Sequence, residues 1–504
     1  MRSSTLTGED TRRAARNAGV LAVTSLLSKG LLFGWQFVLA RWLGDAAFGI
    51  YGTVGALAVI ATVIGSFGMG LIVMRDVAQQ PERAGDYLTA TLFMQTVLVA
   101  VAFLVMNTAA LLLGYSDAVR VFTALTGVGL IIDIYGNMAS DQLLAQERMV
   151  TTSIVETVHI AARVGLVAAA LWAGFGLPGL YLGGLAASAL RSGVFWRALA
   201  RTGVQPTFPL NWKIAMPLLR NSTPLMLAAV LVLIYQQADK LMSTAFLTEA
   251  STGYLTIAFV IIVGVIELLN GTVLIATYPL MARYYANGGE AFGFLVEKLV
   301  FFTTLVALPL CLLLSIFSSD IILLLLGEMY LPTAAVLRVL IWYALASMLV
   351  NVFARGMMVQ NRQQQLLVIR GSGLALNLAL NLAFLALLDL GLMGLVVASV
   401  IAEGAILTAM LLTFRQQGLE MRRLTARLLR PLAVGAIAGA VMLLTAPVHF
   451  MVGMALGGAA YAGLVVFAPV LLADEWDLLY RLVAAMPGGG FVRRWWQRDT
   501  QINW

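Results

Sequence analysis

Apolar residues dominate the chain in long runs, and polar residues gather in the short intervals between them. Each run holds about 20 residues, which is the length that an α-helix needs to cross the hydrocarbon core of a bilayer. The pattern predicts fourteen membrane-spanning helices. Their predicted ranges are 18–40, 49–73, 87–113, 119–139, 151–173, 178–198, 217–242, 251–277, 294–317, 333–354, 365–387, 391–414, 429–447 and 449–473.

The composition also favours a polytopic membrane protein over a soluble one. Of the 504 residues, 61% are hydrophobic and 11% are charged, whereas soluble domains carry about 25% charged residues. The first apolar run is too long for a signal peptide, so it is predicted to be the first span. The single cysteine, Cys311, excludes a disulfide within the chain, and two distant histidines argue against a metal site. No cofactor is predicted.

Basic residues are distributed unevenly between the predicted loops, which sets an orientation. With the N-terminus inside, three of the 32 Lys and Arg residues lie on the outer side, namely Arg41, Arg120 and Arg338. Five lie within spans, and the other 24 face the cytoplasm. By the positive-inside rule, both termini are predicted to be cytoplasmic. The Arg-rich stretch 415–430 and the basic, Trp-rich tail after Leu472 are predicted to contact membrane lipids at the inner leaflet.

The two halves of the chain resemble each other in order and spacing. Gly49 in the second span matches Gly253 in the eighth at an offset of 204 residues, and Arg148 matches Arg362 at an offset of 214. The offset spans six helices, an even number, so both halves enter the membrane in the same direction as parallel repeats. The predicted fold is therefore all-α, with two six-helix lobes around a central cavity. The predicted units are a lobe over 1–203, a lobe over 204–415, and a basic linker, two helices and an interfacial tail over 416–504.

One motif near the N-terminus resembles a known family. The stretch from Ala40 to Tyr51, ARWLGDAAFGIY, resembles the A-R-x-L-G-x-x-x-F-G-x-Y signature of polysaccharide-transporter flippases for O-antigen and exopolysaccharide. These flippases belong to the multidrug/oligosaccharidyl-lipid/polysaccharide exporter superfamily. The QQADK segment that ends at Lys240, the Tyr278-Pro279 pair and the GEMY motif that ends at Tyr330 resemble further family motifs.

The resemblance implies a fold and a function. The family fold has two six-helix bundles around a central cavity, often with two further helices. The implied substrate is an undecaprenyl-pyrophosphate-linked oligosaccharide, moved from the inner to the outer leaflet of the bacterial inner membrane. The implied partners are this lipid-linked oligosaccharide, membrane lipids and other polysaccharide assembly proteins. The sugar is left open.

Charged residues inside the predicted spans are candidates for function, because a charge in hydrocarbon costs about 2.5–3.5 kcal/mol on insertion scales. Lys29 lies deep in the first span, at a depth that makes snorkelling to the headgroups difficult. It is predicted to face the cavity and hold a pyrophosphate oxygen, with Arg163 and Arg370 as helpers. A buried ion pair with a carboxylate is the alternative.

Two spans carry polar residues at matching positions of the repeat. Glu156, His159 and Arg163 share one face of the fifth span, and Arg370 and Asn377 of the eleventh span match Glu156 and Arg163. Matching polar positions fit a shared central cavity, so His159 and Asn377 join the predicted substrate contacts. The alternative is that these residues hold helices together.

A second group contains the candidates for ion coupling or gating. It consists of Asp133, Glu156, Asp239, Lys240, Glu267 and Glu403. For the single carboxylates in this group, pairing with Lys29, Arg163 or Arg370 is the alternative. Arg191 lies near enough to the cytoplasmic end of its span to snorkel and is given no role.

The sequence lacks Walker A, HExxH and GxSxG motifs, and the longest predicted outer loop runs only from Ser318 to Pro332. The chain is therefore predicted to be a transporter and not an enzyme such as an oligosaccharide polymerase or ligase. No nucleic-acid partner is predicted. A lipid II flippase and a multidrug/cation antiporter of the same superfamily are the alternatives. Lys29 and Arg163 in the N-terminal half favour an anionic substrate over a cationic drug.

Overall fold

Long helices make up nearly all of the described chain, which in this computed structural model comprises residues 30–286, 288–468 and 470–471. No strand occurs in these ranges. The first helix, α1, is described over residues 30–43. The later helices are α2 (Asp45–Ser66), α3 (Met69–Gln79), α4 (Ala84–Leu112), α5 (Asp117–Ala145), α6 (Met149–Trp172), α7 (Gly176–Ala200), α8 (Trp212–Phe246), α9 (Glu249–Ala286), α10 (Gly289–Ile316), α11 (Ser318–Leu326), α12 (Pro332–Val359), α13 (Gln363–Ala386), α14 (Gly391–Arg415), α15 (Met421–Thr445) and α16 (Phe450–Phe467).

The helices agree with the spans predicted from hydropathy. Each of the fourteen predicted ranges overlaps a helix, and the first and last do so over the part of the span that is described. Within the described ranges, twelve helical segments are long and apolar enough to cross a membrane. α7 is not among them, because glycines, serines and two arginines dilute its apolar residues. The prediction of an all-α, multi-pass membrane fold is confirmed.

Two predicted elements differ from the structure. The second span is broken at Phe67 and Gly68, which adopt positive φ angles of 54° and 70° and separate α2 from α3. The outer loop predicted from Ser318 to Pro332 contains α11 and a short 3-10 turn instead. α11 forms because its run of isoleucine and leucine can bury Ile322 and Leu326 against α12.

The two halves of the chain meet where α2 crosses α9. An added Cβ at Gly49 would lie 1.7 Å from the carbonyl oxygen of Glu249, and one at Gly253 would lie 2.1 Å from that of Asp45. Any side chain at either glycine would therefore collide with the main chain opposite. The offset of 204 relates Asp45 to Glu249 as well as Gly49 to Gly253, so the contact has the twofold relation that parallel repeats predict. We call these four residues the glycine crossing.

Hydrogen bonds and apolar packing reinforce this contact. The Tyr254 hydroxyl donates to Asp45 Oδ2 at 2.6 Å, and the Tyr330 hydroxyl donates to the Ala40 carbonyl at 3.0 Å. A buried apolar cluster of side chains from α1, α9, α10 and α12 lies beside these bonds. All of these contacts lie at the end of the bundle where α1 ends and where α2 and α9 begin.

α8 packs into both halves of the molecule. Ile214 and Leu218 in its first turns lie in an apolar core with side chains of α3 and α4. Its second half packs against α13 and α14. The segment before α8 is tied to α4, since the Thr89 hydroxyl donates to the Thr207 carbonyl at 2.9 Å. α8 therefore connects the core of the N-terminal lobe directly to the C-terminal lobe.

Candidate functional site

α8, α13 and α14 enclose an aspartate inside the C-terminal lobe. Asp239 is 4% exposed and accepts hydrogen bonds from Asn381 Nδ2 at 2.8 Å, from Asn377 Nδ2 at 3.4 Å and from the Ser399 hydroxyl. Asn377 and Asn381 lie one turn apart on α13, so both amides reach the same carboxylate. All these donors are neutral, so they solvate the negative charge without balancing it. We call these four residues the aspartate site.

A second buried carboxylate lies one turn away. Glu403, 2% exposed, accepts a hydrogen bond of 2.5 Å from the Tyr235 hydroxyl. Tyr235 and Asp239 are four residues apart on α8, and Ser399 and Glu403 are four apart on α14, so two antiparallel helices carry two matched polar pairs. No lysine or arginine of the described ranges comes within 4.0 Å of either carboxylate. Neither carboxylate therefore has a direct cationic partner among the described residues.

Two basic residues of the same lobe bind other groups. Lys240 Nζ donates to Gln237 Oε1 at 3.1 Å, and Arg370 Nη2 donates to Asn351 Oδ1 at 3.3 Å. The alternative in which a carboxylate of this lobe pairs directly with Arg370 is not realised among the described residues. Lys240 and Arg370 therefore compensate the charges of Asp239 and Glu403 only at longer range.

An arginine brings the charged residues of the N-terminal lobe together. Arg191 of α7 donates through Nε to both oxygens of Glu156, at 3.0 and 3.1 Å, and through Nη2 to Asn137 Oδ1 at 2.7 Å. Its Nη1 lies 3.8 Å from Asp133 Oδ1, and His159 Nδ1 lies 3.8 Å from Glu156 Oε2. These five residues join α5, α6 and α7, and we call them the arginine cluster.

Arg191 is the position that sequence reasoning missed. Its side chain is 9% exposed, so the expectation that it reaches the headgroups is wrong. The signal lay in the helical hairpin formed by α6 and α7. Glu156 lies 16 residues before the end of α6 at Trp172, and Arg191 lies 15 residues after the start of α7 at Gly176. The hairpin therefore places Glu156 and Arg191 at the same depth in the membrane. At that depth each charge needs a partner of opposite sign.

The remaining predicted residues are not gathered into one site. Asn377 belongs to the aspartate site and His159 to the arginine cluster, so these two predicted substrate contacts lie inside separate lobes. Arg163 is exposed on α6 and makes no hydrogen bond or ion pair with a described residue. Glu267 is exposed on α9. Lys29 lies outside the described residues, as does the tail after Leu471.

Comparisons with known proteins agree with this architecture. A family model described as polysaccharide biosynthesis protein matches residues 14–285. No curated protein matches the chain by sequence.

Two solved structures share the fold at 14% sequence identity. The lipid II flippase MurJ in an inward closed conformation aligns with a TM-score of 0.73, over 89% of this chain and 98% of that one. An inward-facing multidrug resistance MATE family transporter of the MOP superfamily aligns with a TM-score of 0.63, over 79% of this chain and 95% of that one. Because the family model spans more than half of the 504 residues, the chain belongs to the polysaccharide biosynthesis protein family.

Proposed function

We propose that the protein is a flippase that moves an undecaprenyl-pyrophosphate-linked oligosaccharide from the inner to the outer leaflet of the bacterial inner membrane. The observation that carries the proposal is the family match over residues 14–285. The relatives that share the fold are a flippase and a transporter, which supports transport rather than catalysis. Other polysaccharide assembly proteins are its proposed partners.

The glycine crossing supports an alternating-access cycle. In the orientation predicted from charge, α1 ends and α2 and α9 begin at the outer side of the membrane. The crossing then closes the outer end of the path between the lobes. Release of the substrate outward requires α2 and α9 to part at Gly49 and Gly253, while the hydrogen bond of Tyr254 to Asp45 breaks.

Cations on the N-terminal side are proposed to bind the pyrophosphate. Arg163 presents an exposed guanidinium on α6, at a depth where lipid tails cannot solvate it. Guanidinium binds phosphate oxygens through two donors, and a lysine such as Lys29 binds them as a point charge. Arg370, bonded to Asn351 in the other lobe, is the proposed helper on the opposite side.

Asp239 is the coupling residue that we propose from the group of candidates. Its carboxylate lies among neutral oxygen and amide groups, an environment that favours a proton or a small monovalent cation as the missing positive charge. Asn381 Oδ1 is buried without a hydrogen-bond partner in the described chain and offers a further oxygen ligand. Asp133 and Glu156 are less suited, because Arg191 already lies beside both.

A lipid II flippase is the second candidate. The fold likeness to MurJ, a lipid II flippase, favours it. A multidrug antiporter is less consistent with exposed Arg163, because a cationic drug and a guanidinium repel each other.

The test is transport by the full chain in proteoliposomes. Each lipid-linked substrate is placed in one leaflet, and its arrival in the other is measured with a membrane-impermeant enzyme that modifies the sugar. Oligosaccharide transport with little lipid II transport supports the first function, and the reverse supports the second. Transport of neither substrate, by protein that is folded, contradicts both.

Variants in the same assay test the pyrophosphate contacts. Lys29→Ala and Arg163→Ala should each lower transport, and Lys29→Arg should retain part of it because the positive charge remains. Arg422→Ala, which removes an exposed arginine from α15, is the matched control and should transport normally. Full transport by well-inserted Lys29→Ala protein would exclude Lys29 from the substrate site.

A further inference from the structure

Glu403 is the most buried carboxyl group in the described ranges, with 2% of the residue exposed. The Tyr235 hydroxyl donates to its Oε2, and Ser347 of α12 lies beside the same group. Tyr343, also on α12, packs in the same apolar cluster as Tyr235. α8, α12 and α14 therefore enclose the carboxyl group with uncharged neighbours, and the aspartate site does not include it.

Charged groups act on Glu403 only from a longer distance. Asp239 lies about one helical turn away, roughly 6 Å along α8 and α14, and repels a second negative charge. Arg370 and Lys240 attract it, but both donate to amide side chains and neither lies within 4.0 Å of the carboxyl group. Burial and the nearby carboxylate of Asp239 therefore both oppose ionisation of Glu403.

The two carboxyl groups differ in how many donors they have. Asp239 accepts three hydrogen bonds, from two asparagines and a serine, whereas Glu403 accepts one, from Tyr235. Each donor to a carboxylate stabilises its charged form, so the negative charge is better accommodated at Asp239. A proton is better placed on Glu403, where the hydroxyl oxygen of Ser347 can accept a hydrogen bond from it.

We propose that Glu403 is a proton-binding site, and that a small monovalent cation entering the aspartate site displaces its proton. The exchange rests on the coupling role proposed for Asp239. Before the cation binds, Asp239 is ionised and Glu403 is protonated. When the cation binds, it offsets the charge of Asp239 and ends the repulsion. The O–H bond of Glu403 then breaks, its electron pair stays on the carboxylate, and the proton passes to water once the lobe opens.

The balance of charge explains why the exchange is one for one. With the proton bound, the two carboxyl groups carry one negative charge between them. With the cation bound and the proton released, they and the cation again carry one negative charge. The interior of the C-terminal lobe therefore has the same net charge in both states, and no further charge is transferred into a region surrounded by hydrocarbon.

Infrared difference spectroscopy of the full chain in lipid membranes tests the exchange. The C=O stretch of a protonated carboxyl group lies apart from the carboxylate and amide bands, so the protonated form is observed directly. Perfusion at constant pH alternates choline chloride with sodium chloride, and binding of radioactive sodium is measured in parallel. Wild-type protein should show a protonated band in choline and lose it at saturating sodium, with one proton released for each sodium bound.

Four variants assign the band and its response. Glu403→Gln should lack the band, whereas the same substitution at exposed Glu328 should keep it. Tyr235→Phe should shift its frequency, because the carbonyl oxygen of Glu403 loses a hydrogen bond. Asp239→Asn removes the repelling charge permanently, so it should lower the band even without sodium and abolish the response to sodium. A carboxyl group that is protonated only for structural reasons would not respond to Asp239→Asn or to sodium.

The possible failures separate this proposal from the coupling role of Asp239. A wild-type spectrum in choline that Glu403→Gln does not change overturns the proton site. Sodium that binds to wild-type protein without changing the band overturns the exchange and leaves the role of Asp239 standing. Sodium that neither binds nor changes the band overturns both. The measurements use no lipid-linked substrate, so the flippase activity is tested separately by the transport assay.

Discussion

Single side chains in this protein carry charge where the solvent is hydrocarbon, and each lobe accommodates that charge differently. In the N-terminal lobe, Arg191 neutralises Glu156 through three hydrogen bonds and lies near Asp133. In the C-terminal lobe, neutral donors surround Asp239 and leave its charge unbalanced. An ion pair favours one stable arrangement, whereas an unbalanced carboxylate can bind and release a cation. We therefore expect the Arg191–Glu156 ion pair to stabilise the fold and the Asp239 carboxylate to serve in ion coupling.

Asp239→Asn tests the coupling role. The substitution keeps the shape of the side chain and removes its charge, so a cation no longer has a counter-charge at the aspartate site. We expect normal insertion but transport that no longer responds to an imposed sodium or proton gradient. Ser399→Ala keeps the charge and removes one hydrogen bond to it, worth about 1.5–3 kcal/mol, so it should lower stability and keep the gradient response. Gradient-driven transport by Asp239→Asn would rule out this role.

Arg191→Ala tests the structural role of the arginine cluster. Loss of the guanidinium leaves Glu156 and Asp133 without their cation. Because the Glu156 side chain is 38% exposed, we expect a loss of about 1–3 kcal/mol, less than for a fully buried pair. Thermal unfolding in detergent should show a lower midpoint, and adding Glu156→Gln should restore part of it. An unchanged midpoint would contradict the structural role, and Arg163→Ala, which removes an exposed arginine, is the control.

At the scale of helices, the glycine crossing determines how closely the two lobes approach. Gly49→Ala or Gly253→Ala places a methyl group within 1.7 or 2.1 Å of a carbonyl oxygen on the opposite helix, so α2 and α9 must separate. We expect Tyr254→Cys, in a Cys311→Ala background, to react faster with a membrane-impermeant maleimide in either variant. Gly55→Ala is the control on the same helix, because no atom lies within 4 Å of its added Cβ. Equal labelling in all three variants would argue against a gate at this crossing.

The helices themselves were predictable from sequence, because twenty apolar residues in a row leave few alternatives in a bilayer. The hydrogen-bond and ion-pair partners of the polar side chains are much harder to predict from sequence. The repeat points to Asn377, but the hydrogen bond from Asn377 to Asp239 depends on how α8, α13 and α14 pack. The role of Arg191 does not follow from its depth along α7, because depth does not reveal which neighbouring helix the side chain faces. Which polar side chains bind each other depends on how the helices pack, and the sequence of each span taken alone does not determine that packing.

In the whole molecule, α8 links the proposed coupling and gating sites. Its first turns pack in the N-terminal lobe, and its second half carries Asp239. Five residues further on, Thr244 lies 2.5 Å from the Thr53 hydroxyl of α2 and 2.8 Å from the Thr252 hydroxyl of α9. A change of charge at Asp239 can therefore alter the crossing through one continuous helix, without a separate relay.

The orientation of the molecule decides whether the crossing closes the outer end, and it rests on the distribution of basic residues. If both termini are cytoplasmic and fourteen helices cross the membrane, the turn at Asp389 between α13 and α14 lies outside. A phosphatase that is active only outside should then be active when fused after Asp389 and inactive when fused after Trp504. A cytoplasmic reporter should give the reverse pattern. This orientation is expected from the positive-inside rule, because 24 of the 32 basic residues lie in segments predicted to be cytoplasmic. If the same reporter is active at both positions, the two positions lie on the same side of the membrane. That result would contradict the fourteen-span topology and the assignment of the glycine crossing to the outer side.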